Sequence, residues 1–322
     1  MNLLAGARAM EARPVTLADI IPDPRFHCSF PHDISALDAS VARRGVINPV
    51  WLIPSDGKYD LICGFRRYRA ATKAAQEKMP ALILEGADEY TLLLMQAEEN
   101  SHTRGLNLLE KAMLIRSAHA SFGKTPEQVI DTLFPAIGLE RSMVMYNAIS
   151  QVAEYGPYTQ ALVASSGMGA KQAAVLAQFE KEERELAAEW ITDHRLGLNQ
   201  CVQAFEALLD IRVNQGLSAS EVMDEMEKAA AQNWDATRRT DVIFNTLIKK
   251  SKPALASMEY DFDDAVAALT LPPQVRIRPP KNFEGRHIEL TIRADRAESM
   301  SAAIAALGKV ERGGLEKLFK WI

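Results

Sequence analysis

Cysteine is scarce, a long apolar run is missing and positive charge is not in excess. Cys28, Cys63 and Cys201 are the three cysteines in 322 residues, and no two stand at metal-ligand or redox spacing. That excludes a disulfide scaffold and a cysteine-rich zinc module, and predicts free, buried thiols in a reducing cytoplasm. No stretch approaches about 18 consecutive apolar residues, so a spanning helix is not expected. The opening Met1-Asn2-Leu3-Leu4-Ala5-Gly6-Ala7-Arg8 lacks a basic segment followed by a long apolar one, so export is not expected either. Formal net charge is −5, so contact with nucleic acid has to come from a local basic patch rather than the whole surface.

What is present suits a folded chain. Apolar residues make up 48% and charged residues 25%, ordinary values for globular proteins, and 322 residues predict two or three domains. To about residue 100 strands and helices mix, predicting an α+β unit. Val15 to Ile21 reads as a strand and Ile34 to Arg44 as a helix. Val50 to Ile53 and Tyr59 to Cys63 flank Asp56-Gly57, a hairpin signal. Ala81 to Leu84 reads as a buried strand, and Glu89 to Asn100 as a helix. From Asn107 the pattern turns helical. Gly123 ends one helix, and Thr125-Pro126-Glu127-Gln128 starts another with an N-cap and proline at the first helical position. That helix is expected to stop at Leu133, with a break at Phe134 to Gly138 before a helix over Glu140 to Val152. Ser218 to Glu221 reads as a capping box, Arg238-Arg239 and Lys249 to Lys252 as a solvated linker in preference to a phosphate-contacting interval, and Asp295 as the cap of a helix over Arg296 to Leu307. The last third is again α+β, ending in the apolar Leu315, Leu318, Phe319, Trp321 and Ile322, which need a partner surface.

The densest chemistry is Gly64-Phe65-Arg66-Arg67-Tyr68-Arg69-Ala70, between a strand and a helix expected to reach Lys78. Unpaired N–H groups at a helix start favour anions, and guanidinium groups beside them make a polyphosphate site. Glycine there lets backbone approach the ligand. Glu99-Asn100 adds a carboxylate and an amide oxygen, hard ligands suited to Mg²⁺ on a nucleotide. The plainer alternative is a solvated arginine face and an acidic helix end. His27, His32 and His102 form no close-spaced metal set.

These residues and their neighbours resemble the ParB family of plasmid and chromosome partition proteins. That family carries a Gly-Glu-Arg-Arg-x-Arg-Ala box and then a Glu-Asn-x-x-Arg box. Asp19 to Arg25, Gly45 to Val50, and Leu106 to Ala112 resemble its flanking segments in the same order. The resemblance implies a nucleotide-binding domain over 14–105, a helix-turn-helix DNA-binding domain over 106–213 and a C-terminal α+β domain over 214–322 that could dimerise. It implies CTP as ligand, with Gly64, Arg66, Arg67, Arg69, Asn100 and Arg104 as binding residues, Asn100 on Mg²⁺, and Glu99 as the residue orienting or activating water. Arg141, Ser142, Tyr146 and Asn147 would lie on the helix entering the major groove. Double-stranded DNA, a second copy of the chain and a ParA-like ATPase are the implied partners, on a nucleoid or plasmid.

Two departures stand out. Phe65 replaces the glutamate after the glycine, and the arginine expected three residues after Asn100 falls on Thr103, with Arg104 one place later. Two other functions stay open: a transcriptional regulator or mobile-element DNA-binding protein with a vestigial pocket, and a nucleotide-dependent small-molecule kinase. Sulfiredoxin-like chemistry is disfavoured, because Phe65 stands where such enzymes place cysteine, and Cys63 lies on the strand.

Overall fold

The computed structural model describes residues 8–9, 12–30, 34–232 and 234–321. His32, Ile322 and residues 1–7, 10 and 11 lie outside the described residues. The chain divides into two compact units, 1–205 and 206–322. Both contain helices and sheet, the α+β class the sequence implies.

The first unit opens with β1 (Arg8–Ala9), β2 (Arg13–Thr16) and β3 (Ile20–Pro22), followed by α1 (Ser35–Arg44). The single strand expected over Val15 to Ile21 is two strands, because a 3-10 turn at Leu17–Asp19 sends them to different partners. β4 (Val50–Ser55) and β5 (Lys58–Cys63) form the hairpin, with Asp56 and Gly57 at φ 45° and 79° as a primed turn requires. α2 (Phe65–Lys73), β6 (Lys78–Glu85) and α3 (Glu89–Thr103) complete the mixed part. The helix expected to reach Lys78 ends at Lys73. Ala75 turns to φ 52°, Gln76 N–H closes on Ala71 C=O, and Lys78 already pairs with Thr16 in the sheet.

The sheet runs β1-β6-β4-β5-β3, with β2 also on β6. β4 is antiparallel to β5 and parallel to β6, and β3 is parallel to β5. Alternation buries Val50 and Leu52 from β4, β5 buries Leu61, Ile62 and Cys63 in succession on both its faces, and Val41, Ala70 and Ala71 close the core around Val50, Leu52 and Leu61 from α1 and α2. Each fully buried leucine contributes about 1.5–3 kcal/mol against an exposed one.

Helices then follow: α4 (Leu108–Ala120), α5 (Pro126–Ala136), α6 (Met143–Ser150), α7 (Pro157–Ser165), α8 (Ala170–Leu176), α9 (Lys181–Asp193) and α10 (Leu198–Gln215). Thr125 and Gln128 form the capping box of α5. The break expected at Phe134 lies later: Phe134 is fully buried, Pro135 sits in the last turn, and Gly138 at φ 66° ends the run. α6 is shorter than expected, since Ser142 caps it and a 3-10 turn follows at Gln151–Glu154.

In the second unit α11 (Ala219–Ala229) starts at the expected Ser218–Glu221 box. The basic interval is not a linker but part of α12 (Ala236–Ser251). Arg239 pairs with Glu227 at 2.5 Å and Lys250 with Glu225 at 2.7 Å, so α11 carboxylates take up those charges. α13 (Pro253–Ala267), the ribbon β7 (Val275–Arg278) with β8 (Glu289–Ile292), α14 (Ala297–Leu307) and α15 (Arg312–Leu318) finish the chain. Asp295 does not cap α14; Arg296 holds that position, and Asp295 accepts a bond from the Ser299 hydroxyl. Of the apolar terminus, Leu318 is buried against Phe262 and Phe283, whereas Leu315 and Phe319 are exposed. No helix among the described residues is long and apolar enough to cross a membrane.

Candidate functional site

The strand-to-helix junction is built around Gly64. Its φ of 103° and ψ of 23° reverse the chain from β5 into α2. A Cβ there would lie 2.6 Å from Val50 Cγ1, so only glycine fits. The turn places Arg66 and Arg67 beside the end of α3. From the other side a staple fixes the segment before α1. Asp23, 6% exposed, accepts from Arg25 Nη2 at 2.7 Å, and Arg25 Nη1 reaches Glu89 on α3 at 2.6 Å. Gln96 Nε2 on α3 donates to Phe26 C=O at 2.9 Å. Cys28 and Ser29 are thereby held against the junction.

Together these elements enclose a cavity of about 470 Å³. Gly64, Arg66, Arg67, Glu99, Asn100 and Arg104 all line it, joined by Ser29, Trp51 and Gln96. The residues from Gly64 to Arg67 are thus brought together with Glu99 to Arg104, 32 to 40 positions away in sequence. Arg69 is not brought in: although three residues from Arg66 and so on nearly the same face, it stands almost a turn further along α2 from the Gly64 junction, is exposed and does not line the cavity. Phe65 packs its ring 4.9 Å from that of His27.

Each lining arginine is already oriented by protein groups. Arg67 Nη1 donates to the carbonyls of Pro49 at 2.6 Å and Asn48 at 3.1 Å, with Nη2 3.9 Å from Glu99. Arg66 Nε donates to Ser29 Oγ at 3.0 Å and Nη2 to Glu110 Oε1 at 3.1 Å. Arg104, leaving α3 at its C-cap, folds back so that Nε donates to Asn100 Oδ1 at 2.9 Å and Nη1 to Glu110 Oε2 at 2.8 Å. Burial lowers the Arg66 pKa, with Arg104 adding to the effect. Cys63 donates its thiol proton towards Glu99 Oε2 at 3.4 Å, and burial pushes that thiol far up from its ordinary value. The buried Cys28 thiol is pushed up to about 11, also by burial first. A thiolate nucleophile is not what this wall provides.

Two features fit an anionic, hydrogen-bonding ligand. Gly64 leaves a cradle where any side chain would collide, and the buried Gln96 Oε1 has no partner among the described residues. Glu99 and Asn100 are the oxygen donors for a hard cation carried on such a ligand. No cluster of three or more His, Cys, Asp or Glu able to hold a metal occurs among the described residues.

Glu110 is the residue that motif reading did not single out. It is 1% exposed and joins two of the three arginines. Its signal was the Asn107-x-x-Glu110 spacing ahead of an apolar run, a capping pattern that the structure contains.

The candidate DNA-reading residues separate into two groups. Arg141 and Asn147 are exposed, with Arg141 Nη2 donating to Asp131 C=O at 3.3 Å. Ser142 is used as the N-cap of α6, its hydroxyl accepting from Met145 N–H at 3.3 Å. Tyr146 does not face outward: it is 9% exposed, with its ring stacked 6.3 Å from that of Phe134. The outward surface of α6 also includes Met143 and Val144.

The family described as the ParB N-terminal domain matches residues 7–101. The chain is 27% identical over 176 residues to a probable chromosome-partitioning protein ParB of Pseudomonas putida, covering 51% of this chain and 60% of that one. It is 36% identical over 135 residues to a probable chromosome-partitioning protein ParB of Neisseria meningitidis, covering 40% and 45%. The match therefore spans between about half and three fifths of those relatives. Among solved structures, C-terminally truncated ParB from Caulobacter crescentus complexed with CTP-gamma-S aligns at 21% identity with a TM-score of 0.28, over 57% of this chain and 99% of that one. That superposition is too loose to transfer geometry. Family match, relatives and the order of the two motifs agree that residues 7–101 form a ParB N-terminal domain, in a chain similar over about half its length to chromosome-partitioning proteins.

Proposed function

We propose that this chain is a DNA-binding partition protein whose N-terminal cavity takes CTP with Mg²⁺. The observation that carries the reading is the convergence of Arg66, Arg67 and Arg104 on one cavity, beside a glycine cradle that accepts no side chain. Three guanidinium groups supply paired donors for phosphate oxygens. Asn100 and Glu99 sit where a phosphate-bound Mg²⁺ would find oxygen ligands, and Glu99 is the candidate to orient water if the nucleotide is hydrolysed. Arg104 supplies the arginine that the motif lacks at Thr103, since its guanidinium returns to Asn100.

The helical segment 106–213 is the proposed DNA-contacting part, through Arg141, Ser142 and Asn147. The segment 214–322 is the proposed self-pairing part, where Leu290, Met300, Ile304 and Phe319 are exposed apolar groups. In a homodimer, nucleotide that binds the closed arrangement better than the open one shifts the population towards a clamp on DNA. A ParA-like ATPase is the proposed motor partner, on a nucleoid or plasmid.

Calorimetric titration with CTP, ATP, GTP and UTP plus Mg²⁺, on wild type and Arg67→Ala, tests this. Selective CTP binding lost in the variant is the expected result. No binding by a folded sample would leave a DNA-binding module with a vestigial pocket, and selective ATP binding would favour a kinase.

A further inference from the structure

Glu110 holds two positions at once. It is the third residue of α4, where its Oε2 accepts from Asn107 N–H at 3.2 Å while Asn107 Oδ1 accepts from Glu110 N–H at 2.9 Å. The same carboxylate takes Arg66 on Oε1 at 3.1 Å and Arg104 on Oε2 at 2.8 Å. Almost no solvent reaches it, so the two guanidinium groups help to hold its charge in the interior.

The arginines stand between two cavities. Arg66 and Arg104 line the first, with Gly64, Glu99 and Asn100, and also a second of about 480 Å³ with Gly105, Leu106, Asn107 and Ala164. Glu110 lines only the second. The arginines have long, rotatable side chains and can turn into the first cavity. Glu110 cannot follow them, because Leu108, Leu109 and Ala112 fix the start of α4 in the core.

We propose that Glu110 is an internal counter-ion that competes with a bound triphosphate for Arg66 and Arg104, coupling occupancy of the cavity to the first turn of α4. The inference rests on the nucleotide reading above. Phosphate oxygens that draw the two guanidinium groups away leave a buried carboxylate without its cations. That carboxylate must then reorient, and its cap on Asn107 N–H loosens. The residue thus acts as a positioning group for the arginines when the cavity is empty, and as the relay when it is filled.

Glu110→Gln separates the two roles, because glutamine serves equally at the third position of a capping box but carries no charge. The full-length protein is titrated with CTP and Mg²⁺, with inorganic triphosphate as a second probe. Without the competing carboxylate, the dissociation constant is expected to fall about tenfold. The unliganded variant should melt below wild type, and CTP should raise its melting temperature more than it raises that of wild type. Hydrogen exchange should show a CTP-dependent change at residues 107–110 in wild type and little in the variant.

Equal affinities within about twofold, with equal exchange changes, would overturn the inference while the nucleotide site stood. If Glu110→Gln does not fold, wild-type exchange still decides: no change at 107–110 at saturating CTP overturns the coupling. No binding of either probe by wild type would overturn the nucleotide reading, and this inference with it.

Discussion

Arg104 Nε lies 2.9 Å from Asn100 Oδ1, so the residue that follows α3 reaches back across one turn to the amide on which a cation site would depend. Thr103, which occupies the expected arginine position, turns its hydroxyl to Glu99 C=O at 2.7 Å and stays out of that contact. On the proposed nucleotide reading, Arg104 at the helix C-cap is the candidate to stand in for the arginine that Thr103 lacks.

Arg104→Ala should therefore weaken CTP binding about tenfold or more, the loss of a charge-assisted donor. Thr103→Ala should remain within about twofold of wild type. Calorimetry on the two variants checks the assignment, and equal losses would remove it.

Gly64→Ala should destabilise the first unit by about 2–4 kcal/mol, from a Cβ clash and a left-handed φ acting together. The collision is with Val50 Cγ1 at 2.6 Å. Val50→Ala in the same chain should return part of the loss by removing that methyl, and urea unfolding of the three proteins measures it.

Tyr146 and Asn147 are adjacent on α6, but the first is buried and the second exposed, so their variants should divide. Tyr146→Ala is expected to cost about 3 kcal/mol of stability, as truncation of a packed aromatic does. Asn147→Ala should leave stability within about 0.5 kcal/mol, as exposed substitutions do, and reduce DNA retention. A thermal melt and a DNA-binding titration on each variant separate a core role from a contact role.

Cys28 gives the fold an alkaline limit. Its folded value of about 11 lies above the ordinary 9.0, so the thiol stays protonated in the fold where the unfolded chain has already ionised. The associated stability is present below pH 9.0 and is lost as pH rises through 11. Denaturation at pH 8, 9.5 and 11 should show a steeper fall for wild type than for Cys28→Ala. Identical slopes would show that another group controls the limit.

Local signals carried much of the fold to the reader of the sequence. Asp56-Gly57 fixed a hairpin because two consecutive positive φ values suit few other pairs, and Thr125-Pro126 with Gln128 marked a helix start by its own capping chemistry. Local reading failed where packing or pairing overrode propensity. Phe134-Pro135 looked like a break, yet burial of Phe134 carries the helix one turn further. Arg238, Arg239 and the lysines after them looked like a linker, because the α11 carboxylates that neutralise part of the run lie elsewhere in sequence.

For the site, residue types were enough to nominate Gly64, Arg66 and Arg67 as a polyphosphate cradle and Glu99 with Asn100 as hard ligands, whereas Arg104 came only with the resemblance to the ParB family's Glu-Asn-x-x-Arg box. Which side chains share the cavity was decided only in three dimensions. Arg69 stands almost a turn beyond the junction and stays outside, packing against Phe134 turned Tyr146 inward, and the fold delivered Glu110 from the next helix to the arginines. A sequence determines what each side chain can do and how its own turn or helix forms. Which distant charge it must live beside depends on long-range packing, and that is why the pairing of Glu110 with Arg66 and Arg104 became visible only in the tertiary structure.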